Sequence, residues 1–176
     1  MFDLIITGAG PAGISAAYEA QKLGLNYLVI EKGLIGNTIY NYPVGLTVFS
    51  TPNELEFREG DLKPAREKPT REELLSYYVR FVLDNELDVR TEEAVFEILK
   101  EEFPAKTQSR EEEGEVWVRV ITDKGEYAGR NVLFATGAMD HPRKLNVPGE
   151  ELPKVHDHFH ETYPWVKKHA LIVGGG

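Results

Sequence analysis

Cysteine is absent from the 176 residues. Disulfides, thiolate metal sites and a cysteine nucleophile are therefore excluded within them. Long apolar runs are missing as well; none exceeds about six residues, where a membrane-spanning helix needs ~18 or more. There is no basic leader, because Met1 runs straight into Phe2-Asp3-Leu4-Ile5-Ile6-Thr7. No export signal is read, and a cytoplasmic location is expected. Basic residues are in the minority, 20 Lys+Arg against 29 Asp+Glu for a net charge of −9. With no basic cluster, neither nucleic acid nor an anionic membrane is an expected partner. What remains is ordinary globular material, with 41% hydrophobic residues, 16 Gly and 10 Pro, enough apolar side chain for a real core.

The apolar patterning predicts an α/β chain. Residues 2–7 and 27–30 are short continuous apolar runs of the kind buried in parallel sheets. Between them Pro11–Leu23 has helical spacing, with Gly24 as its stop, which makes a βαβ unit. From Gly33 to Pro69 four prolines break any period, so a long loop is expected, with a short helix near residues 53–58. A loop of that length in a compact domain is usually functional. Thr70-Arg71-Glu72-Glu73 is a capping-box signature that opens a helix to about Asn85. A third parallel strand is expected at 88–91. Alternation over 94–103 and 115–122, and a turn at Asp123-Lys124-Gly125 with a short strand near Tyr127, predict an antiparallel β-meander. Residues 131–135 make a further buried strand, 161–168 a short helix and 170–173 a last strand that runs into Gly174-Gly175-Gly176. Between positions 92 and 115 stand nine Glu against Lys100, Lys106 and Arg110, read as a solvated hairpin with its tip at 104–114.

Gly8-Ala9-Gly10-Pro11-Ala12-Gly13 is G-x-G-x-x-G, and its setting makes it specific: a strand before, a helix after, and Glu31 18 residues beyond Gly13 at the end of the second strand. In a dinucleotide site the first glycine permits the turn, the second lets backbone approach a pyrophosphate, and the third packs helix on strand. The helix start favours the diphosphate. Glu31 would accept from ribose hydroxyls and repel a 2′-phosphate.

Together with Asn41-Tyr42-Pro43, Phe134-Ala135-Thr136-Gly137 and Val147-Pro148-Gly149-Glu150, these motifs resemble the FAD-binding half of flavoproteins with two dinucleotide-binding domains. Within them the chain is similar to the thioredoxin-reductase-like group. Glu31-Lys32-Gly33, Ile39–Pro43, Asp140-His141-Pro142 and Pro153-Lys154-Val155 look closest to its bacillithiol disulfide reductase branch. The resemblance implies a Rossmann-like FAD-binding domain over 1–140, a linker over 141–168, and over 169–176 the first strand and glycine turn of a second, NADPH-binding Rossmann domain. It implies that Gly8, Gly10, Pro11, Ala12 and Gly13 hold the FAD diphosphate and Glu31 its ribose, with Lys32 also among the cofactor-binding residues. Gly36, Asn37, Thr38, Asn41 and Tyr42 would lie along the flavin, Val95 at the adenine, and Thr136 and Gly137 beside the cofactor. Gly174 and Gly176 would open the NADPH site.

The expected activity is that of an oxidoreductase passing electrons from NADPH through FAD to a thiol/disulfide acceptor, a low-molecular-weight disulfide or a small redox protein. The whole protein is expected to be a homo-oligomer, and these 176 residues to be inactive alone. A flavin monooxygenase, a ferredoxin–NADP reductase and a non-catalytic FAD-binding fragment stay open as alternatives. Two departures matter. The branch is associated with a cysteine in the first glycine loop, where this chain has Ala12, and positions 33–50 hold no redox cysteine pair. No catalytic residue is assigned. His156, His158 and His160 alternate but are read as linker, and no metal is expected.

Overall fold

A computed structural model describes residues 1–102, 116–139 and 143–174. The expected hairpin tip at 104–114, the Asp140-His141-Pro142 motif and Gly176 lie outside the described residues.

One six-stranded sheet organises the chain, in the order β3-β2-β1-β6-β5-β4. The strands are β1 Phe2–Thr7, β2 Tyr27–Ile30, β3 Val89–Arg90, β4 Val95–Glu102, β5 Val116–Thr122 and β6 Glu126–Phe134. β1 is central, parallel to both β2 and β6, and β2 is parallel to β3. β4, β5 and β6 form the antiparallel meander. The helices are α1 Pro11–Lys22, α2 Asn37–Tyr40, α3 Pro52–Leu55 and α4 Arg71–Asp84, with a 3₁₀ turn at Tyr163–Trp165.

Alternation along the central strands builds a core on each face. Ile6 and Val29 pack with Ile14 and Ala17 of α1 and with Leu74, Tyr78 and Phe81 of α4. Ile5, Leu28 and Ile30 face the other way, against Val120 of β5 with Val95, Ile98 and Tyr127. The meander thus covers the face of the parallel strands that the helices leave open. Three layers result, with α1 and α4 on one side and the meander on the other.

Several expectations are corrected. The strand near Tyr127 and the strand at 131–135 are one element, β6, which pairs with β5 through Glu126–Gly129 and with β1 through Gly129–Phe134. Gly129 belongs to both pairings, and a Cβ there would come within 2.9 Å of the Ile5 side chain. The glycine and the polar residues after it look like a break in sequence, whereas they mark where one strand passes from one partner to the other. The helix at 161–168 shrinks to three residues, because Pro164 fits a first turn but no buried apolar face follows. Residues 170–173 join no sheet among the described residues, and Leu171, Ile172 and Val173 are exposed; a parallel strand forms only beside a hydrogen-bonding neighbour.

The capping box at α4 forms as expected. Thr70 N–H and Oγ1 donate to Glu73 Oε2 at 2.8 and 3.0 Å, and Glu73 N–H donates to Thr70 Oγ1 at 3.2 Å. The Thr70 amide, with the Ala65 amide and the Thr70 hydroxyl, holds the Glu73 carboxyl below its ordinary value of 4.5. A carboxyl depressed in the folded state stabilises above its unfolded pKa and loses that contribution as the pH falls through its folded one. Melting temperature is therefore expected to fall more steeply between about pH 5 and pH 3 for the wild type than for Glu73→Gln. Parallel curves would remove this bond from the acid sensitivity.

Candidate functional site

The carboxyl ends of β1, β2 and β6 open into a cleft of ≈ 1110 Å³. In open α/β sheets this is where ligands bind, beside the strand whose neighbours diverge. The first wall is the β1–α1 turn. Gly8 has φ +108°, and a Cβ there would strike the Ala135 carbonyl group, so glycine is required by both backbone and space. A Cβ on Gly13 would land on the Gly8 carbonyl oxygen, which is the close packing of helix start on strand end expected of the third glycine.

Gly10 is different. Its backbone is ordinary extended chain (φ −80°, ψ −175°), and a Cβ there would meet no protein atom within 4 Å. No protein atom within 4 Å of that position requires glycine there, and the space above it is open to the cleft. α1 begins here with no side-chain cap and no acidic residue in its first turn. The Ala12 and Gly13 N–H groups have no intrahelical acceptor by helix geometry, and Gly10, Pro11 and Ala12 line the cleft at the positive end of the helix dipole.

Glu31 directly follows β2 and is 7% exposed. Its Oε2 accepts from Ala9 N–H at 2.8 Å and its Oε1 from Gly33 N–H at 2.7 Å. The carboxylate therefore ties the glycine loop to the start of the next segment, and each oxygen keeps a lone pair for a hydroxyl donor. Gly36, at φ +67°, turns the chain into α2, and its N–H donates to the Ala9 carbonyl at 2.9 Å. The far wall is fixed from α4: Arg71, 8% exposed, donates through Nη2 and Nε to the Tyr40 carbonyl at 2.6 and 3.2 Å. Residues 46–48 lie along 69–71 by two backbone hydrogen bonds and the Thr47–Thr70 bridge.

Of the residues expected from sequence, Gly8, Gly10, Pro11, Ala12, Glu31, Lys32, Gly36, Asn37, Thr38, Tyr42, Val95, Thr136 and Gly137 line this cleft. Gly13 supports it from beneath. Asn41, the C-cap of α2, is exposed and lies outside it. Gly174 is exposed, at φ +94°, and stands apart from it. Sequence reasoning missed Val48, Phe49, Ser50 and Leu55 from the long loop, Glu93 and Ala94 before Val95, and Phe134 and Met139 at the end of β6. The loop residues follow no periodic pattern, so only their position in space reveals them. Phe134 carried a usable signal, being a large apolar residue at a strand end where the strand meets a ligand turn.

The lining is graded. Glu31, Lys32 and the α1 start make one part polar and hydrogen-bonding, while Leu46, Val48, Phe49, Leu55, Phe134 and Met139 make the other apolar. That arrangement fits an elongated ligand with a diphosphate, a ribose and a flat apolar ring system, and the bare Gly10 is the place where its diphosphate would cross. A smaller hollow of ≈ 630 Å³ beside α4, lined by Arg58, Asp61, Arg80 and Asp84 among others, touches none of these residues. Among the described residues no group of three or more His, Asp or Glu side chains gathers into a metal site, and no helix is long and apolar enough to cross a membrane.

A parallel βαβ unit, a glycine turn at the strand ends and an acidic residue closing the second strand define a Rossmann-type dinucleotide-binding fold. The chain belongs to the pyridine nucleotide-disulphide oxidoreductase family, whose model matches residues 5–176. It is 38% identical to bacilliredoxin reductase of Bacillus subtilis over 97% of its own length and 49% of that protein's. A thioredoxin reductase of Treponema pallidum is 28% identical over 99% of this chain and 48% of its own. Among solved structures, the bacillithiol disulfide reductase of Staphylococcus aureus superposes with a TM-score of 0.79 at 33% identity, covering 93% of this chain and 46% of that one. The chain spans about half the length of the curated relatives it matches.

Proposed function

We propose that this chain is the FAD-binding part of a flavin-dependent NADPH oxidoreductase that reduces a disulfide. The observation that carries the reading is the cleft at the strand ends, where a glycine turn open at Gly10 meets the Glu31 carboxylate and an apolar far wall. The α1 start would hold the diphosphate, Glu31 the adenosine ribose, and the segment Gly36–Tyr42 with Thr136 and Gly137 the flavin. Glu31 disfavours a 2′-phosphate by charge, so NADPH belongs at a different site. We assign that site to a second domain opening at Gly174–Gly176, with residues 141–168 as linker. The relatives' length, about twice that of this chain, leaves room for such a domain.

When bound, FAD supplies hydride acceptance from a nicotinamide and electron transfer onward. The chain's own work is to bind, orient and shield it. Ala12 puts no thiol into the glycine loop, so thiol chemistry at that position forms no part of the proposal. A disulfide acceptor is favoured over oxygen or ferredoxin because bacilliredoxin reductase and two bacillithiol disulfide reductases match 93–97% of this chain at 33–38% identity. The whole protein is proposed to act in the cytoplasm as a homo-oligomer.

Purified chain should be yellow, or become so on adding FAD, and should release about one FAD per chain on denaturation. A colourless protein that takes up no added FAD would overturn the reading.

A further inference from the structure

The turn between β3 and β4 faces two ways. On one side Glu93, Ala94 and Val95 line the cleft next to Glu31 and Lys32. On the other, its side chains reach into the meander. Glu93 is 3% exposed, and its Oε1 accepts from Thr122 Oγ1 and from the Tyr127 hydroxyl, each at 2.7 Å. The Tyr127 oxygen in turn accepts from Arg90 Nη1 at 2.7 Å, so a cation stands one hydroxyl away from the buried carboxylate. Ala94 and Asp123 are joined twice, Ala94 N–H to Asp123 Oδ1 at 2.8 Å and Asp123 N–H to the Ala94 carbonyl at 3.1 Å.

These bonds hold a backbone that would not adopt this path unaided. Glu92 sits at φ +56°, a left-handed conformation that a non-glycine residue keeps only where its surroundings enforce it. The same turn clamps the strand end that carries Glu31. Glu31 N–H donates to the Arg90 carbonyl at 2.8 Å, and Glu93 N–H donates to the Glu31 carbonyl at 3.0 Å. A buried carboxylate is costly unless hydrogen bonds satisfy it, and an apolar side chain would fill this space without that cost. What an apolar side chain could not do is grip two hydroxyls on two different strands of the meander.

We infer that Glu93 is a positioning residue for the adenosine end of the cleft, tying the 92–95 turn to β5 and β6 and so fixing both the cleft wall at Val95 and the strand end bearing Glu31. The inference rests on the dinucleotide reading of the cleft. It gives the meander a role in binding: the layer opposite the helices sets the shape of the site at Val95 and Glu31.

Calorimetric titration of the purified chain with FAD, and separately with ADP, tests it alongside melting temperatures. Glu93→Ala is expected to weaken FAD and ADP by the same factor, about tenfold. Glu93→Gln keeps an oxygen for both hydroxyls and should bind both ligands nearly as the wild type does, a rescue that loss of stability alone would not produce. If Glu93→Ala is too unstable to titrate, Tyr127→Phe carries the test, with a smaller and again equal loss for the two ligands. Wild-type affinities in the alanine or phenylalanine variant, or weakening of FAD with ADP unchanged, would overturn the inference while leaving the cleft assignment intact. A wild-type chain that binds neither ligand overturns the cleft assignment and the inference with it.

Discussion

Gly13→Val is expected to cost the fold about 3 kcal/mol, a large share of the ~5–15 kcal/mol that stabilises a typical domain. The collision is with backbone. A Cβ at this position lands on the Gly8 carbonyl oxygen and lies 3.5 Å from the Ala135 Cβ. Gly8 cannot retreat, because its own N–H is bonded to the Ile30 carbonyl at 2.8 Å and its Cα faces the Ala135 carbonyl. The whole β1–α1 turn would have to move, so FAD uptake should be lost along with stability. Gly10→Ala separates the two effects. Its Cβ meets no protein atom, so the urea midpoint should stay within experimental scatter of the wild type while FAD affinity falls. A Gly10→Ala variant that binds FAD normally would mean that the turn is a folding device with no ligand above it.

Among substitutions that leave the glycine turn intact, Glu31→Ala is expected to have the largest effect on binding. The substitution leaves the Ala9 and Gly33 amides without their acceptor. A buried amide left unpaired costs ~1–3 kcal/mol, so a destabilisation of about 2–4 kcal/mol is expected in urea denaturation. The glycine loop at Ala9 is held to Gly33 through this carboxylate, and the proposed ribose contact would be lost with it. FAD affinity should drop about a hundredfold, equivalent to roughly 2.7 kcal/mol. Glu31→Gln keeps one acceptor oxygen and should lie between the two. Unchanged FAD affinity in Glu31→Ala would show that the ribose contact is misassigned.

The parts of this account that were legible in the sequence are those with short-range causes. Gly8 and Gly13 are dictated by a turn and a contact within a few residues, Glu31 by its spacing, and Thr70 and Glu73 by a cap contained in four positions. The strands β1 and β2 declare themselves because both faces are buried, leaving no polar alternation. What the sequence hid depends on partners distant along the chain. Gly129 reads as a break between two strands, yet it is a crossing point set by Ile5 and Val118. α2 went unread because four residues show no period, and its place is fixed by Arg71, 31 positions after Tyr40. Glu93 looked like one more charge in an acidic stretch; only the fold brings Thr122 and Tyr127 to it. Asn41 was placed in the site by resemblance, and the turn of α2 leaves it outside.

Occupation of the strand-end cleft by one dinucleotide, its diphosphate over Gly10, is tested by an amide NMR titration of the isotopically labelled chain with FAD. Saturating shifts at one equivalent are expected for the amides of Gly8, Gly10, Ala12, Gly13, Glu31, Gly36, Asn37, Thr38, Tyr42, Ala94, Val95, Thr136 and Gly137. Absence of shifts in that set, or shifts centred instead on Arg58, Arg80 and Asp84 beside α4, would contradict it.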